Sequence, residues 1–283
     1  MPKLDLHSHT TASDGVLAPA ALVALAHEVG LTTLAITDHD STGGLAEARA
    51  AAAQHGLELI TGVEFGCDMP HGEVHVLGYL FDPAHPAVVT RLAWLREGRV
   101  LRGQEMVEKL NGLGVPVAWE RVQAIAGTGS VGRPHVAQAL VEGGFVADNQ
   151  EAFTRYLAWG GPAYVPRRRM RPAVVIALMA EAGGVASLAH PARIPDLEAQ
   201  LPALVEAGLT GLETYYGEYD RATVEYLAGL AAQHNLVPTG GSDYHARPIK
   251  DHAMLGAGPT VPADTISRLQ ARCPPPAPYP SPG

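Results

Sequence analysis

Nine side chains able to ligate a divalent cation recur along this chain: His7, His9, Asp14, His39, Glu64, His75, His190, Asp243 and His245. Most follow a short apolar run, as in Leu4-Asp5-Leu6-His7, Leu34-Ala35-Ile36-Thr37-Asp38-His39 and Val185-Ala186-Ser187-Leu188-Ala189-His190, so each is expected where a β-strand finishes. His7 and His9 are spaced i, i+2, as are Asp243 and His245, and in an extended chain that spacing puts both side chains on one side. A surface strand can carry one such pair without any chemistry. Here the pairs are joined by Thr37-Asp38-His39-Asp40 and Gly62-Val63-Glu64-Phe65, and a carboxylate among imidazoles is the group that can bridge two cations. The pattern predicts one metal site at one mouth of a barrel.

Strand-like runs at Lys3 to His7, Thr32 to Thr37, Glu58 to Glu64, Glu73 to Tyr79, Val185 to Ala189, Gly211 to Tyr215 and Val237 to Gly240 are to position these ligands. Helical patterns separate many of them: Pro19 to Val29, Thr42 to His55, Arg171 to Ala182, Asp196 to Ala207 and Asp220 to His234. Such alternation predicts about seven βα units, parallel strands with helical crossovers, and chemistry at the C-terminal strand ends. From Val89 to Pro166 the alternation breaks. A long amphipathic helix from Arg91 to Leu113, a Gly127-Thr128-Gly129-Ser130 loop and a second helical group are expected there. The expected fold is therefore α/β, a distorted (β/α)7 barrel built from 1–88 and 167–272, with a helical insertion, 89–166, capping the active-site mouth. The segment 273–283 reads as a proline-rich tail without chemistry.

At 283 residues and 47% hydrophobic content the chain can bury a full core. Two cysteines, Cys67 and Cys273, cannot build a disulfide framework, and no secretion-like leader precedes the first strand, so a cytoplasmic enzyme is expected. No apolar run reaches the roughly 18 residues of a membrane span. A net charge of −9 argues against a broad nucleic-acid surface but not against a local basic pocket.

The motifs His7-Ser8-His9 with Asp14-Gly15, Thr37-Asp38-His39, Gly62-Val63-Glu64, Val74-His75-Val76-Leu77-Gly78-Tyr79, Ala189-His190-Pro191 and Gly241-Ser242-Asp243-Tyr244-His245 together resemble the polymerase and histidinol phosphatase (PHP) superfamily of metal-dependent phosphoesterases. The resemblance spans nearly the whole chain, with the motifs in order. It implies a distorted seven-stranded barrel with two or three divalent ions: His7, His9, Glu64 and Asp243 for the first, Glu64, His75 and His190 for the second, and Asp14, His39 and His245 for the third. Asp14 stands where some members carry histidine, which bears on the third ion. Manganese is favoured, and iron or zinc fits the same imidazole-rich set. The implied chemistry is hydrolysis by a metal-bridging hydroxide with no side-chain nucleophile.

The insertion narrows the branch. Gly132-Arg133-Pro134-His135 opens a helix on which Arg133 and His135 could meet an anion. Tyr164-Val165-Pro166-Arg167-Arg168-Arg169, with Arg171, is a basic run in an acidic protein, and Arg193 lies three residues past His190. Arg133, His135, Arg168 and Arg193 are candidate substrate-binding residues. Arg133 is a candidate to neutralise developing charge, and His135 to act as an acid for the leaving alcohol or as a phosphate ligand. Together these segments resemble the branch that removes the 3′-phosphate of nucleoside 3′,5′-bisphosphates, some of whose members degrade short RNA 5′ to 3′. The implied partners are a phosphorylated nucleotide or short RNA, with no membrane and no stable protein partner.

A histidinol-phosphate-type phosphatase stays open as an alternative, as does a metal-dependent amidohydrolase, which also starts on a His-x-His strand. In a silent binding module a ligand would be lost, and none is missing here. Cys67 reads as a buried thiol. His27, His55, His71, His85, His234 and His252 follow no ligand pattern and mostly suit the surface. Trp94, Trp119 and Trp159 could stack on a base or pack the insertion.

Overall fold

The computed structural model describes residues 3–69, 72–127, 131–246 and 253–275. Part of the 127–130 loop, His71, His252 and most of the tail lie outside them. In chain order the elements are β1 (Leu4–Asp5), α1 (Pro19–Glu28), β2 (Thr33–Ile36), α2 (Leu45–His55), β3 (Glu58–Met69), β4 (Gly72–Tyr79), α3 (Pro86–Gly112), α4 (Trp119–Ala126), α5 (Arg133–Glu142), α6 (Asn149–Ala152), α7 (Pro172–Glu181), β5 (Val185–Leu188), α8 (Leu197–Glu206), β6 (Gly211–Tyr216), α9 (Arg221–Gln233), β7 (Val237–Gly241) and α10 (Thr265–Gln270). The chain divides into two compact units, one of residues 1–90 and 169–283, the other of residues 91–168.

In the first unit the strands follow the order β1-β2-β3-β4-β5-β6-β7 in one sheet. Strands β2 and β5 are buried along their whole length, which explains why they read as unbroken apolar runs rather than alternating ones. The sheet curls until its edges meet: Leu6 N–H donates to Gly240 O at 3.1 Å and Asp243 N–H to His7 O at 2.8 Å. A Cβ at Gly241 would collide with the backbone nitrogen of His7, so glycine is what lets β7 approach β1 closely enough to close the barrel. Leu6, Leu77, Tyr79, Ala189, Val237 and Leu269 fill its core, while Leu22, Val23 and Ala26 of α1 and Ala48 and Ala52 of α2 pack outside, over Leu34 and Ile36. Pro19 at the first turn of α1 and Gly56, left-handed at φ 65° beyond α2, set the helix limits.

One expectation is corrected here. The seven-stranded α/β barrel is the one expected, but its strands are not all parallel, because β4 runs antiparallel to both β3 and β5. Only positions 70 and 71 separate β3 from β4, far short of the dozen or so residues a parallel crossover requires. Strand β3 also continues to Met69, so Glu64 is mid-strand, and His75 falls near the start of β4 rather than at a strand's finish. Because β4 is reversed, its beginning lies at the same end of the barrel as the ends of its neighbours.

The second unit is helical. Met106, Leu110, Val122, Val136, Leu140 and Leu157 form its core. A single π-helical turn, Phe153–Leu157, follows α6, and Asp148 caps α6 by accepting from Glu151 N–H at 2.8 Å. Among the described residues no helix is long and apolar enough to cross a membrane.

Candidate metal centre

Backbone hydrogen bonds place the ligands before any side chain contributes. Where β7 meets β1, His9 N–H donates to Tyr244 O at 2.9 Å, setting His7 and His9 against Asp243 and His245. Beyond β2, Asp40 N–H donates to Glu64 O at 2.8 Å and His39 forms a parallel bridge with Glu64. In the β3–β4 hairpin Glu64 pairs with Leu77 and Gly66 with His75. Glu64 and His75 are thus diagonal neighbours on one sheet face. His190 and Asp243 take left-handed backbone conformations, φ 30° and φ 54°, directly after β5 and β7. For non-glycine residues that strain costs about 1–3 kcal/mol each and persists only where surrounding structure fixes it, commonly at functional sites.

All nine predicted ligands come together in the first unit, around Glu64. Glu64 Oε2 lies 3.3 Å from His7 Nε2, 3.2 Å from His9 Nε2 and 3.1 Å from His39 Nδ1. Its Oε1 lies 2.7 Å from His75 Nδ1 and 3.4 Å from His190 Nε2. Asp243 Oδ1 approaches His7 and His9 Nε2 at 3.3 and 3.1 Å, and Asp14 Oδ1 approaches His245 Nε2 at 3.2 Å. Three sets have ligand atoms mutually within 4.8 Å: His7, His9, Glu64 and Asp243; His9, Asp14, His39 and His245; and His39, Glu64 and His75. The first equals the set implied by resemblance, and the second adds His9 to the implied third. In the remaining set His39 joins Glu64 and His75, while His190 Nε2 stands 3.2 Å from His75 Nδ1.

The donors fit divalent ions. His7 Nε2, both ring nitrogens of His9, His39 Nδ1 and Glu64 Oε2 are buried without a hydrogen-bond partner, a costly arrangement that a shared cation relieves. Electrostatics agree. Burial alone would push His9 down, but the negative charge of the Asp243 and Glu64 carboxylates, 3.1 and 3.2 Å from its Nε2, outweighs it and lifts its pKa to about 10. Burial is likewise outweighed at His75, raised to about 9 mainly by Glu64, and at His7, raised by Glu213, Asp243 and Glu64. His39 is held at about 3 by burial, reinforced by repulsion from His9 and His75. Without ions, His7, His9 and His75 therefore keep their protons at neutral pH, and an ion must displace them. Metal binding is expected to release protons, and apparent affinity to rise as pH climbs from 7 to 9. Calorimetric manganese titrations in buffers of different ionisation enthalpy test this; no net proton release would contradict it.

Several supporting residues carry no sequence motif. Glu213 of β6, fully buried, has both oxygens engaged: Oε1 sits 2.8 Å from His7 Nδ1, and Oε2 accepts from His190 N–H at 2.6 Å. It therefore orients His7 and also pins the strained turn at His190, the outer-shell role that fixes a histidine ligand's tautomer. Tyr216 O–H donates to Asp243 Oδ2 at 2.8 Å. Asp5 accepts from Ser242 Oγ at 2.6 Å and from Ser242 N–H at 3.0 Å, anchoring the residue before Asp243. Asp38 accepts from Thr10 N–H, Thr10 Oγ1 and Ser13 Oγ and so holds the loop that carries Asp14. A carboxylate inside the buried run Gly-Leu-Glu-Thr-Tyr-Tyr was the available sequence signal for Glu213.

Arg193, in the same unit, lies 5.2 Å over the Tyr216 ring and pairs with Glu218 at 2.6 Å. Arg133, His135 and Arg168 belong to the second unit. Arg133 lies 5.5 and 5.9 Å over the Phe153 and Tyr164 rings and donates to Leu157 O at 3.4 Å. Arg168 lies 6.0 Å from the Trp94 ring and packs along Gly98. His135 Nδ1 accepts from Gly132 N–H at 3.0 Å, and burial lowers its pKa. Cys67 is a buried thiol pushed up by that burial. His27 and His55 are exposed, but His85 is buried, at 2% exposure, because its Nδ1 accepts from Ala87 N–H at the start of α3.

A closed seven-stranded α/β barrel with imidazoles and carboxylates gathered around one glutamate defines a metal-dependent hydrolase. Residues 5–92 match the PHP domain model, and the chain belongs to the PHP family of metal-dependent phosphoesterases. It is 39% identical over 255 residues to the 5′-3′ exoribonuclease Rnm of Salmonella typhimurium, covering 85% of this chain and 84% of the relative. It is 35% identical over 251 residues to the 3′,5′-nucleoside bisphosphate phosphatase of Chromobacterium violaceum, covering 87% and 88%. A crystal structure of a proposed metal-dependent phosphoesterase from Bifidobacterium adolescentis superposes with a TM-score of 0.80 at 34% identity, covering 96% of each chain.

Proposed function

We propose that this phosphoesterase removes the 3′-phosphate of nucleoside 3′,5′-bisphosphates and degrades short RNA from its 5′ end. The observation that carries this reading is the convergence of five imidazoles on Glu64, in a chain similar along most of its length to proteins named for those two activities. His7, His9, Glu64 and Asp243 would hold one ion, Glu64, His75 and His190 a second, and Asp14, His39 and His245, with His9, a third. Manganese is favoured, and the imidazole-rich set also accepts iron or zinc. Bound ions would supply an activated water near neutral pH and neutralise charge on the phosphate.

The chain's own groups do the rest. Tyr216 fixes Asp243, Glu213 fixes His7, and the buried walls around Glu64 keep bulk water from screening these charges. Arg133 presents a bidentate donor pair suited to a phosphate of the substrate, with Arg168 and Arg193 as further candidates. His135 accepts at Nδ1 from Gly132, so in its neutral form the proton is on Nε2. With its pKa lowered, that nitrogen serves better as a phosphate hydrogen-bond donor than as an acid for the leaving alcohol.

Product mapping tests the substrate reading. Manganese-loaded protein is offered adenosine 3′,5′-bisphosphate and, separately, a 5′-phosphorylated oligoribonucleotide. Inorganic phosphate with AMP from the first, and stepwise mononucleotides from the second, are expected; hydrolysis of histidinol phosphate or an amide alone would overturn it. Arg133→Ala is expected to raise KM roughly 10- to 100-fold, the loss of a charge-assisted phosphate contact, with metal content unchanged by elemental analysis. An unaltered KM would remove Arg133 from the substrate site.

A further inference from the structure

Trp159 is 82% exposed, although an indole left in water is unfavourable. It does not hang on a loose loop. Gly160 turns the chain at φ 74°, Gly161 N–H donates to Ala158 O, Ala163 N–H to Tyr156 O and Tyr164 N–H to Gly161 O, all at 2.9–3.0 Å. The turn holds the Trp159 ring beside Tyr164, with centroids 5.1 Å apart and planes at 54°. Cationic groups surround the same tyrosine. Arg102 and Arg133 each stand 5.9 Å from its ring centroid, and Lys109 donates to its carbonyl at 2.7 Å. Among the described residues no carboxylate pairs with Arg133, whose one hydrogen bond is the 3.4 Å contact to Leu157 O.

Charge is distributed to match. Residues 91–168 contain ten Lys and Arg against seven Asp and Glu, although the whole chain has 20 against 29. A net positive unit in an acidic protein, displaying an indole beside a tyrosine and the Arg133 guanidinium, has the two components of single-strand recognition: a stacking face for bases and a cation for the backbone. We infer that Trp159, backed by Tyr164, is a base-stacking platform for single-stranded RNA, with Arg133 and its basic neighbours meeting the phosphates. This rests on the nucleotide-hydrolase reading and specifies how that substrate would extend beyond one nucleotide.

Binding read apart from turnover tests it. A fluorescein-tagged, phosphorothioate-backbone oligoadenylate and, as a competitor carrying charge without bases, inorganic polyphosphate are titrated against wild type, Trp159→Phe and Trp159→Ala by fluorescence anisotropy. Loss of one stacking contact is expected to weaken oligoadenylate binding about tenfold in Trp159→Ala. Trp159→Phe is expected to retain most of the affinity, and polyphosphate competition to be equal in all three. Equal RNA binding by wild type and Trp159→Ala would overturn the platform, as would parallel loss of RNA and polyphosphate binding, which marks a structural or purely electrostatic effect. A change of oligomeric state in Trp159→Ala by sedimentation would assign the face to a second copy of the chain instead. Because the probe resists cleavage, failure of the hydrolytic reading shows as absent phosphate release and leaves this readout intact.

Discussion

Glu64→Gln is expected to abolish turnover, with a fall of about 10³-fold or more, and to empty the centre of most of its metal. One oxygen of this carboxylate faces His7, His9 and His39, the other His75 and His190, all within 3.4 Å. It is the group shared by the first two implied ions, and a bridging carboxylate stabilises several kilocalories' worth of charge that the imidazoles alone cannot. The amide keeps the side chain's volume but loses its charge and turns an N–H₂ toward nitrogens that would otherwise bind cations. Phosphate release and elemental analysis after dialysis check the two halves, with a thermal melt to verify folding. Wild-type activity in Glu64→Gln would remove the shared carboxylate from the chemistry.

Glu213→Gln is expected to weaken metal binding roughly 10- to 100-fold, the scale of outer-shell substitutions at metal centres, without direct contact to an ion. Its reason is hydrogen-bond polarity. Glu213 accepts at both oxygens, from the ring of His7 and from the backbone N–H of His190. Glutamine has one acceptor. The backbone N–H cannot reverse, so the amide oxygen stays on His190 and the amide nitrogen faces His7 Nδ1. His7 must then carry its proton on Nε2, the atom 3.3 Å from both Glu64 and Asp243 that would otherwise bind the ion. Manganese affinity of the folded variant is the readout, and affinity equal to wild type would deny Glu213 this orienting role.

These two residues also show how far the sequence could be read. Glu64 was legible because a carboxylate ends an apolar run in company with spaced histidines, and the same logic located His7, His9, His39, His190, Asp243 and His245. Glu213 is not legible in the same way, because a charged residue in a short strand reads as its solvent side. It faces inward only because β6 is paired on both edges and buried. Strand positions were recoverable from hydrophobic periodicity, but strand direction was not, since hydropathy carries no polarity. The reversal of β4 was written only in its two-residue connection to β3. The histidines with no ligand spacing divided in a similar way. His27 and His55 sit on the surface, whereas His85 is drawn inside by a turn at the start of α3 that no spacing rule encodes. Trp159 is indistinguishable by sequence from Trp119, which is half-buried and packs on Gly103, whereas the turn at Gly160 leaves Trp159 displayed.

The decisive measurement is ion stoichiometry against phosphate release. Protein stripped by a chelator is titrated with manganese while bound metal per chain and turnover of a nucleotide 3′-phosphate are followed together. The expected result is no turnover without metal and full turnover only once two or three ions are bound. Full turnover by the stripped protein, or saturation at one ion, would contradict a centre in which Glu64 is shared between cations.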